Sequence, residues 1–261
     1  MKYIIMDLDD TLLNHQKEIT KYSIEGLSYL KERYGFLIVF NTARSYLSAL
    51  PYIDLIKPDY TILDGGVLIL DSKKNIIFKD LINKELTNEI LELIKENKYV
   101  MNYSVEGENK LYTPDLPYLK VNSLANYFSF NEPFMEGAYK IMVNTMEREE
   151  WRALANSYRL FFESYFNTGW CRISKGSKRT GNLWLFNYLK DDKPMDYCFG
   201  DDRGDKEMLD KAYHGVYLLN SDPSIREPNS RLTRYDSDND GVIRYMLALM
   251  EGINEDNIIT N

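Results

Sequence analysis

The chain has 261 residues, 44% of them hydrophobic and 28% charged, a composition that excludes disordered, collagenous and disulfide-framework classes and is long enough to bury a sizeable core in one large domain or two small ones. With 32 Lys+Arg against 40 Asp+Glu the formal net charge is −8, so the basic footprint that phosphate-backbone contacts need is missing and nucleic acid is excluded as a first partner. The two cysteines, Cys171 and Cys198, allow at most one bridge, which favours a reducing cytoplasm over secretion.

Residues 2–6 form a short β-rich run that passes into an acidic turn. Over 20–34, Ile24, Leu27, Leu30 and Tyr34 recur at helical spacing, and Gly35 can end the helix. Residues 36–40 and 60–63 read as buried strands, and Pro51 and Pro58 between them limit any helix there to a short one. This β-α-β rhythm predicts a parallel sheet. The texture then changes: 67–70 and 76–78 flank a Ser-Lys-Lys-Asn turn and read as a hairpin. Residues 83–98 read as a capped amphipathic helix through Leu86, Ile90, Leu91 and Ile94. Strand-like pieces, including 140–143 and 160–165, then surround one further helix at 147–158. The β-α pattern resumes with a helix at 180–189, a strand at 195–199, a helix at 205–212, a strand at 215–219 and a last helix over about 241–250, before an Asn-rich tail, 254–261, expected to be loosely held. No segment approaches the roughly 18 consecutive apolar residues of a membrane helix. The predicted fold class is α/β: a Rossmann-like parallel-sheet core, 1–80 and 175–261, with an α+β domain inserted at 81–174.

In a parallel sheet, ligands bind beyond the carboxyl ends of the strands. The first strand ends in Asp7-Leu8-Asp9-Asp10-Thr11 and the second in Asn41-Thr42-Ala43-Arg44. The strand after the insert ends in Gly200-Asp201-Asp202-Arg203-Gly204-Asp205, and the insert itself returns through Lys175-Gly176-Ser177-Lys178 into a helix. So many carboxylates at one edge are costly without a hard cation among them, and oxygen-only ligands select Mg²⁺. A Mg²⁺ held by few carboxylates keeps positions open for phosphate oxygens, with a lysine neutralising what remains, so phosphoryl transfer is the predicted reaction. An extended Asp7-Leu8-Asp9 puts both carboxylates on one side, near enough for a nucleophile and a proton donor to serve one phosphorus atom.

These residues resemble a known family. Asp7-Leu8-Asp9-Asp10-Thr11 is similar to the signature of the haloacid-dehalogenase-like (HAD) hydrolases, whose phosphatase members use an aspartate nucleophile and Mg²⁺. Thr42 resembles the family's strand-end threonine. Lys178, in a Lys-x-Thr-Gly context, resembles its lysine before a helix, and the stretch from Asp201 to Asp205 resembles its acidic loop, so that the order agrees over essentially the whole chain. The insert resembles the large α/β cap of subclass IIB, the group of Cof-like, sucrose-phosphate, mannosyl-phosphoglycerate and trehalose-phosphate phosphatases. The resemblance implies that Asp7 attacks phosphorus to form an aspartyl-phosphate and that Asp9 protonates the leaving group and then activates water. It also implies that Asp7, the backbone carbonyl of Asp9 and Asp201 bind Mg²⁺, with Asp205 acting through water or as an acceptor behind them. Thr42 and the Ala43 amide would hold phosphoryl oxygens, with Lys178 offsetting their charge.

Two departures matter. Gly204 stands where many relatives have an asparagine that contacts phosphate or metal-bound water, and Ala43 replaces the glycine of the usual Thr-Gly-Arg, a mild change if its backbone angle is ordinary. Arg44 reads either as a substrate contact or as a salt bridge that fixes its loop. Asp236-Ser237-Asp238-Asn239-Asp240-Gly241 imitates the start of an EF-hand calcium loop, but the twelfth position is Leu247, and an Asp-rich N-cap for the terminal helix explains the same letters. The sequence thus predicts a cytoplasmic, Mg²⁺-dependent phosphatase, monomeric or homodimeric, acting on a small-molecule phosphate ester, a sugar phosphate first, with no nucleic-acid or membrane partner. Its insert is expected to act as a hinged lid that sets specificity. The rivals are a phosphomutase or phosphotransferase with the same site and a phosphate-binding regulatory module with little turnover.

Overall fold

The computed structural model describes residues 1–253 apart from 109, 121–122 and 166–167; the tail at 254–261 lies outside the described residues. In chain order the first part comprises β1 (Lys2–Met6), α1 (Lys21–Tyr34), β2 (Leu37–Asn41), α2 (Tyr46–Ile56), β3 (Tyr60–Leu63), β4 (Leu68–Asp71) and β5 (Ile76–Lys79). The inserted part follows with α3 (Lys84–Glu96), β6 (Val100–Gly107), β7 (Leu111–Thr113), α4 (Leu116–Leu119), β8 (Ala125–Tyr127), β9 (Ala138–Thr145), α5 (Arg148–Ser157), β10 (Phe161–Ser164) and β11 (Trp170–Ser174). The chain returns through α6 (Lys178–Tyr188), β12 (Met195–Gly200), α7 (Lys206–Asp210), β13 (His214–Tyr217), β14 (Arg231–Leu232) and α8 (Gly241–Glu251).

A strand that is apolar on both faces needs cover on both sides. Tyr3, Ile4, Ile5 and Met6 are all fully buried, and β1 lies inside an eight-stranded sheet of order β14-β13-β12-β1-β2-β3-β4-β5. The strands from β14 to β3 are parallel, and β3-β4-β5 is an antiparallel meander. On one face Ile4 and Met6 pack with Leu27 and Leu30 of α1 and with Ile243 and Met246 of α8. On the other, Tyr3 and Ile5 meet Leu185 and Phe186 of α6 and Met208 of α7. This is the α/β core expected from the sequence.

The helix ends follow local chemistry. Thr20 caps α1 by accepting from the Ser23 amide, and Gly35, at φ 71°, closes it with a hydrogen bond to the Lys31 carbonyl. Asn83 caps α3 in the same way by accepting from Leu86. Several expectations need correction. Pro51 sits inside the 11-residue α2 rather than shortening it. The carbonyl of Leu47 thereby loses its donor, and Leu47 borders open cavities where water can replace it. The helix expected at 205–212 is only the five-residue α7, and α4, β7, β8 and β14, each of four residues or fewer, had no periodicity to reveal them. Among the described residues no helix is long and apolar enough to cross a membrane.

The second sheet, of order β10-β11-β9-β6-β7-β8, is antiparallel except for β7 with β8. Between the irregularities at the two ends of β6, its central strands alternate. Val105, Ile141, Val143 and Ile173 pack with Ile90, Leu91 and Ile94 of α3 and with Trp151 of α5 in a core of their own. The intervening Ser104, Glu106, Lys140, Met142 and Arg172 therefore point to the opposite side, where Lys140 and Arg172 reach the carboxyl edge of the first sheet.

Candidate active site

β1 lies between β2 and β12, with Met6 level with both Phe40 and Phe199. The register puts Asp7 beside Asn41 and Gly200, so three polar strand ends meet in one crevice, and the Asp7 amide donates to the Phe199 carbonyl. The fourth part comes from the start of α6. Ser177 and Thr180 form a reciprocal capping box, and the buried Asn41 amide donates to the Lys178 carbonyl and to Asn182. That frame drives Lys178 inward until it is 4% exposed. Its Nζ lies 3.1 Å from Asp7 Oδ2 and 2.7 Å from Asp205 Oδ1. Lys175, by contrast, is exposed and pairs with Asp80.

Asp7, Asp201 and Asp205 each offer a carboxylate oxygen within 4.8 Å of the others. Thr11 donates to Asp201 Oδ1 at 2.9 Å, while the backbone amides of Asp201 and Asp202 donate to Asp205 Oδ2. Asp205 thus uses both oxygens to fix Lys178 and the acidic loop. Burial pushes Asp7 up to about 6 against the pull of Lys178, and burial together with the carboxylates of Asp205, Asp7 and Asp202 pushes Asp201 up to about 9. The ammonium of Lys178, despite its burial, is held protonated by Asp205 and Asp7. Asp7 Oδ1 is buried without a hydrogen-bond partner among the described residues. An orphaned anionic oxygen in an oxygen-only set carrying too much negative charge for one lysine fits a hard divalent cation, as Mg²⁺ requires.

Asp9 is held by two cations. Its backbone is extended at φ −63°, ψ 128°, but its carboxylate takes two hydrogen bonds of 2.7 Å from Arg44, through Nε and Nη2, with Lys17 Nζ at 3.2 Å. Burial acts to raise Asp9, but the Arg44 and Lys17 contacts outweigh it and hold the carboxyl below its usual range. Arg44 is thus a salt-bridge residue in this conformation and also stacks on Tyr52. Thr42 is buried and its hydroxyl accepts from the Arg44 amide. The Ala43 backbone has no positive φ, so the alanine is unstrained, and its amide makes no hydrogen bond to a described residue.

A strand end that the sequence reading passed over supplies the rest. After β3, Asp64, Gly65 and Gly66 all take positive φ, at 51°, 67° and 106°. A Cβ on Gly66 would lie 2.0 Å from the Ser177 carbonyl oxygen, and one on Gly65 would lie 1.5 Å from Arg172 Nη1, so only glycine lets α6 and the insert approach this loop. Asp64 is 1% exposed and pairs with Lys140 at 2.9 Å; Arg172 Nη1 donates to its carbonyl at 2.9 Å. The Asp-Gly-Gly run at a strand end was the available signal.

Gly204 lies against the insert. A Cβ there would meet Glu163 Oε1 at 1.8 Å, and Glu163 pairs with Arg172, so the glycine makes room for a carboxylate of the insert. The calcium-like loop is occupied otherwise: Asp236 accepts from Asn239, Asp238 from the His15 amide, and Asp240 from the hydroxyls of Thr20 and Ser23. Asp240 makes no side-chain cap on α8, so the expected N-cap gives way to a tether on α1. His214 is hydrogen-bonded to Tyr245.

Two cavities run from this crevice along the polar side of the second sheet. The nearer, about 320 Å³, lies between Asp9, Ala43 and Arg44 on one side and Ser104, Glu106 and Lys140 on the other. The farther, about 440 Å³, is lined by Asn102, Thr113, Asp115 and Trp170, and both share Ser104, Met142 and Tyr165. Each is within the roughly 300–1,000 Å³ range of small-molecule sites.

A doubly wound sheet whose strand ends gather aspartates around one buried lysine defines a hydrolase site of the haloacid-dehalogenase type. The family model for haloacid dehalogenase-like hydrolases matches residues 4–246, and the chain belongs to that family; it is an enzyme, a phosphatase of the superfamily. Phosphatase YwpJ of Bacillus subtilis is 24% identical over 293 residues, covering 96% of this chain and all of that protein. Among solved structures, BT1666 from Bacteroides thetaiotaomicron, described among phosphatases of the haloalkanoate (HAD) superfamily, superposes with a TM-score of 0.81 at 20% identity, over 96% of this chain and 95% of that one. A haloacid dehalogenase-like hydrolase from B. subtilis superposes with a TM-score of 0.79 at 22% identity, over 95% and 100%. These superpositions establish the fold.

Proposed function

We propose that the chain is a Mg²⁺-dependent phosphatase that hydrolyses a small phosphorylated metabolite, a sugar phosphate first, through an aspartyl-phosphate on Asp7. The observation that carries this reading is Asp7 itself: one oxygen on Lys178, the other buried without a partner, in a cluster with Asp201 and Asp205. Asp7, the Asp9 carbonyl and Asp201 would hold Mg²⁺, with Asp205 behind them, and the bound ion draws charge off the phosphoryl oxygens. A carboxylate oxygen of Asp7 attacks phosphorus, the bond to the leaving oxygen breaks, and Asp9 gives that oxygen its proton. Asp9 then takes a proton from water, whose oxygen attacks the aspartyl-phosphate and releases inorganic phosphate. The Thr42 hydroxyl and Ala43 amide hold phosphoryl oxygens while Lys178 offsets their charge. Arg44 holds Asp9 as an anion, so the acid step requires that pair to part, and an arriving phosphate dianion offers Arg44 another partner.

In this reading residues 81–174 are a specificity cap over a core of 1–80 and 175–261, and the two linked cavities hold the leaving group. Hydroxyls and amides of Asn102, Ser104 and Thr113 beside the Trp170 ring suit a polyhydroxylated body with one apolar face. Free, buried thiols at Cys171 and Cys198 support a cytoplasmic setting. The test is turnover by purified protein against a panel of phosphorylated metabolites, with Mg²⁺ and with chelator, together with trapping of the phosphorylated protein. Mg²⁺-dependent release of phosphate, fastest with sugar phosphates, is expected. Equal rates in chelator, or no phosphorylated Asp7 in either the native protein or Asp9→Asn, would overturn the metal or the covalent step respectively.

A further inference from the structure

We infer that Lys140, from the inserted domain, is a positioning residue for the core's phosphate-binding loop, so that residues 42–44 have full affinity for a phosphoryl group only while that domain is seated. This rests on the reading that Thr42 and Ala43 hold phosphoryl oxygens. Lys140 stands in the middle of β9 and is 8% exposed. Its Nζ donates to the Ala43 carbonyl at 2.7 Å and pairs with Asp64 Oδ1 at 2.9 Å.

Both contacts bear on residues 42–44, one directly and one through the 64–66 loop. The Gly65 amide donates to the Thr42 carbonyl at 3.0 Å, and the Asp64 amide donates to the Arg44 carbonyl at 2.9 Å. In a trans peptide the carbonyl and the following amide point in opposite directions, so the bond from Gly65 to Thr42 turns the Ala43 amide away from the 64–66 loop. Lys140 fixes the next peptide through the Ala43 carbonyl. Asp64, a non-glycine residue at φ 51°, holds a costly backbone conformation that persists only where contacts over-determine it, whereas Gly65 and Gly66 take positive φ freely. Two of those contacts, from Lys140 and Arg172, come from the inserted domain. Lifting that domain removes the ammonium from Ala43 and both cations from Asp64, and the 42–44 loop loses the frame that aims its amide. Seating the domain and binding phosphate are therefore coupled, and each favours the other.

The experiment measures inorganic phosphate as a competitive inhibitor of p-nitrophenyl phosphate hydrolysis in the full chain. The proteins are wild type, Lys140→Met, Lys140→Arg and the double variant Lys140→Met with Asp64→Asn. Lys140→Met is expected to raise the phosphate inhibition constant by roughly tenfold, the worth of one hydrogen bond from a charged donor, with the half-saturating Mg²⁺ unchanged. Lys140→Arg restores most of the affinity. In the double variant the constant stays raised, because Ala43 still lacks its donor although the stranded Asp64 charge is gone; Glu106, which also faces Lys140, is left in the same state by both Lys140→Met proteins. An unchanged constant in Lys140→Met, or a wild-type constant in the double variant, overturns the inference; the latter assigns the effect to the stranded Asp64. If Lys140→Met does not fold, the double variant alone decides in the same way. A wild-type protein that neither hydrolyses the ester nor binds phosphate overturns the proposed function and this inference with it, whereas turnover with unchanged inhibition constants overturns this inference alone.

Discussion

Replacing Asp7 by asparagine should abolish turnover and, in the absence of Mg²⁺, make the protein more stable. Asp7 is 6% exposed, and its folded carboxyl sits at about 6 against 3.8 for the free side chain. Between those two values the folded chain holds a proton that the unfolded chain has released, so stability falls as pH rises through that window and the deficit is complete above it. Moving from 3.8 to about 6 corresponds to about 3 kcal/mol. The amide removes the buried charge, and Lys178 keeps Asp205 as its partner at 2.7 Å. At pH 7.5 in chelator the variant should therefore gain up to about 3 kcal/mol, or roughly 6–12 °C in Tm for a chain of this size. Added Mg²⁺ should narrow or reverse the difference, because only the wild type has the full carboxylate set that, on the proposed reading, would bind the ion in the folded state alone. Calorimetric melting with and without Mg²⁺, beside a phosphate-release assay, tests both halves. A variant that melts below wild type in chelator would refute the electrostatic argument, and one that keeps measurable turnover would remove Asp7 from the nucleophile's role.

Asp201→Ala should raise the Mg²⁺ concentration for half-maximal activity, whereas Asp236→Ala should not, since Asp236 caps a local turn with Asn239; a Mg²⁺ titration of both variants checks this. Because Asp201 is pushed up to about 9 and Asp7 to about 6, Mg²⁺ binding near pH 7.5 should release protons, and half-saturating Mg²⁺ should rise by up to about tenfold per unit fall in pH, read by calorimetry in buffers of differing ionisation heat. Gly204→Asn should not tighten phosphate binding; it should displace Glu163, weaken its pair with Arg172 and lower Tm, measured by melting and by phosphate inhibition. Trp170→Ala should raise KM for hexose phosphates about tenfold while leaving acetyl phosphate, too small to reach the farther cavity, unaffected; equal losses on both would contradict a platform role.

Asp7 and the residues around it were legible because a single rule, polar residues at the carboxyl ends of parallel strands, collects them without tertiary information. Lys178 was separable from Lys175 and Arg179 by motif spacing, and the capping box that drives it inward was present in the letters Ser177 and Thr180. The same rule applied to β3 would have found Asp64, Gly65 and Gly66, but the hairpin texture that follows drew the reading past that strand end. Lys140, Arg172, Glu106 and Glu163 could not be assigned from sequence. Alternation shows that they oppose Ile141 and Val105, yet which side of the sheet meets the core is decided by docking between segments distant in the chain. The role of Gly204 was hidden for the same reason, since the side chain it accommodates belongs to β10. The Asp9–Arg44 pair is a rotamer choice, invisible in the extended pattern of Asp7-Leu8-Asp9.

The alternation of the second sheet separates two demands that usually conflict. Val105, Ile141, Val143 and Ile173 hold that domain together against α3 and α5, while Ser104, Met142 and Trp170, on the same strands, border the two linked cavities proposed to take the leaving group. A change at every second position can therefore alter what is recognised without opening a void in the packing that keeps the domain folded. Such a lineage can explore new substrates by single substitutions whose cost in stability is small, while the aspartates and Lys178 at the strand ends stay fixed. Diversification of this kind should accumulate at Asn102, Ser104 and Met142 and spare Tyr103, Val105, Ile141 and Val143 beside them.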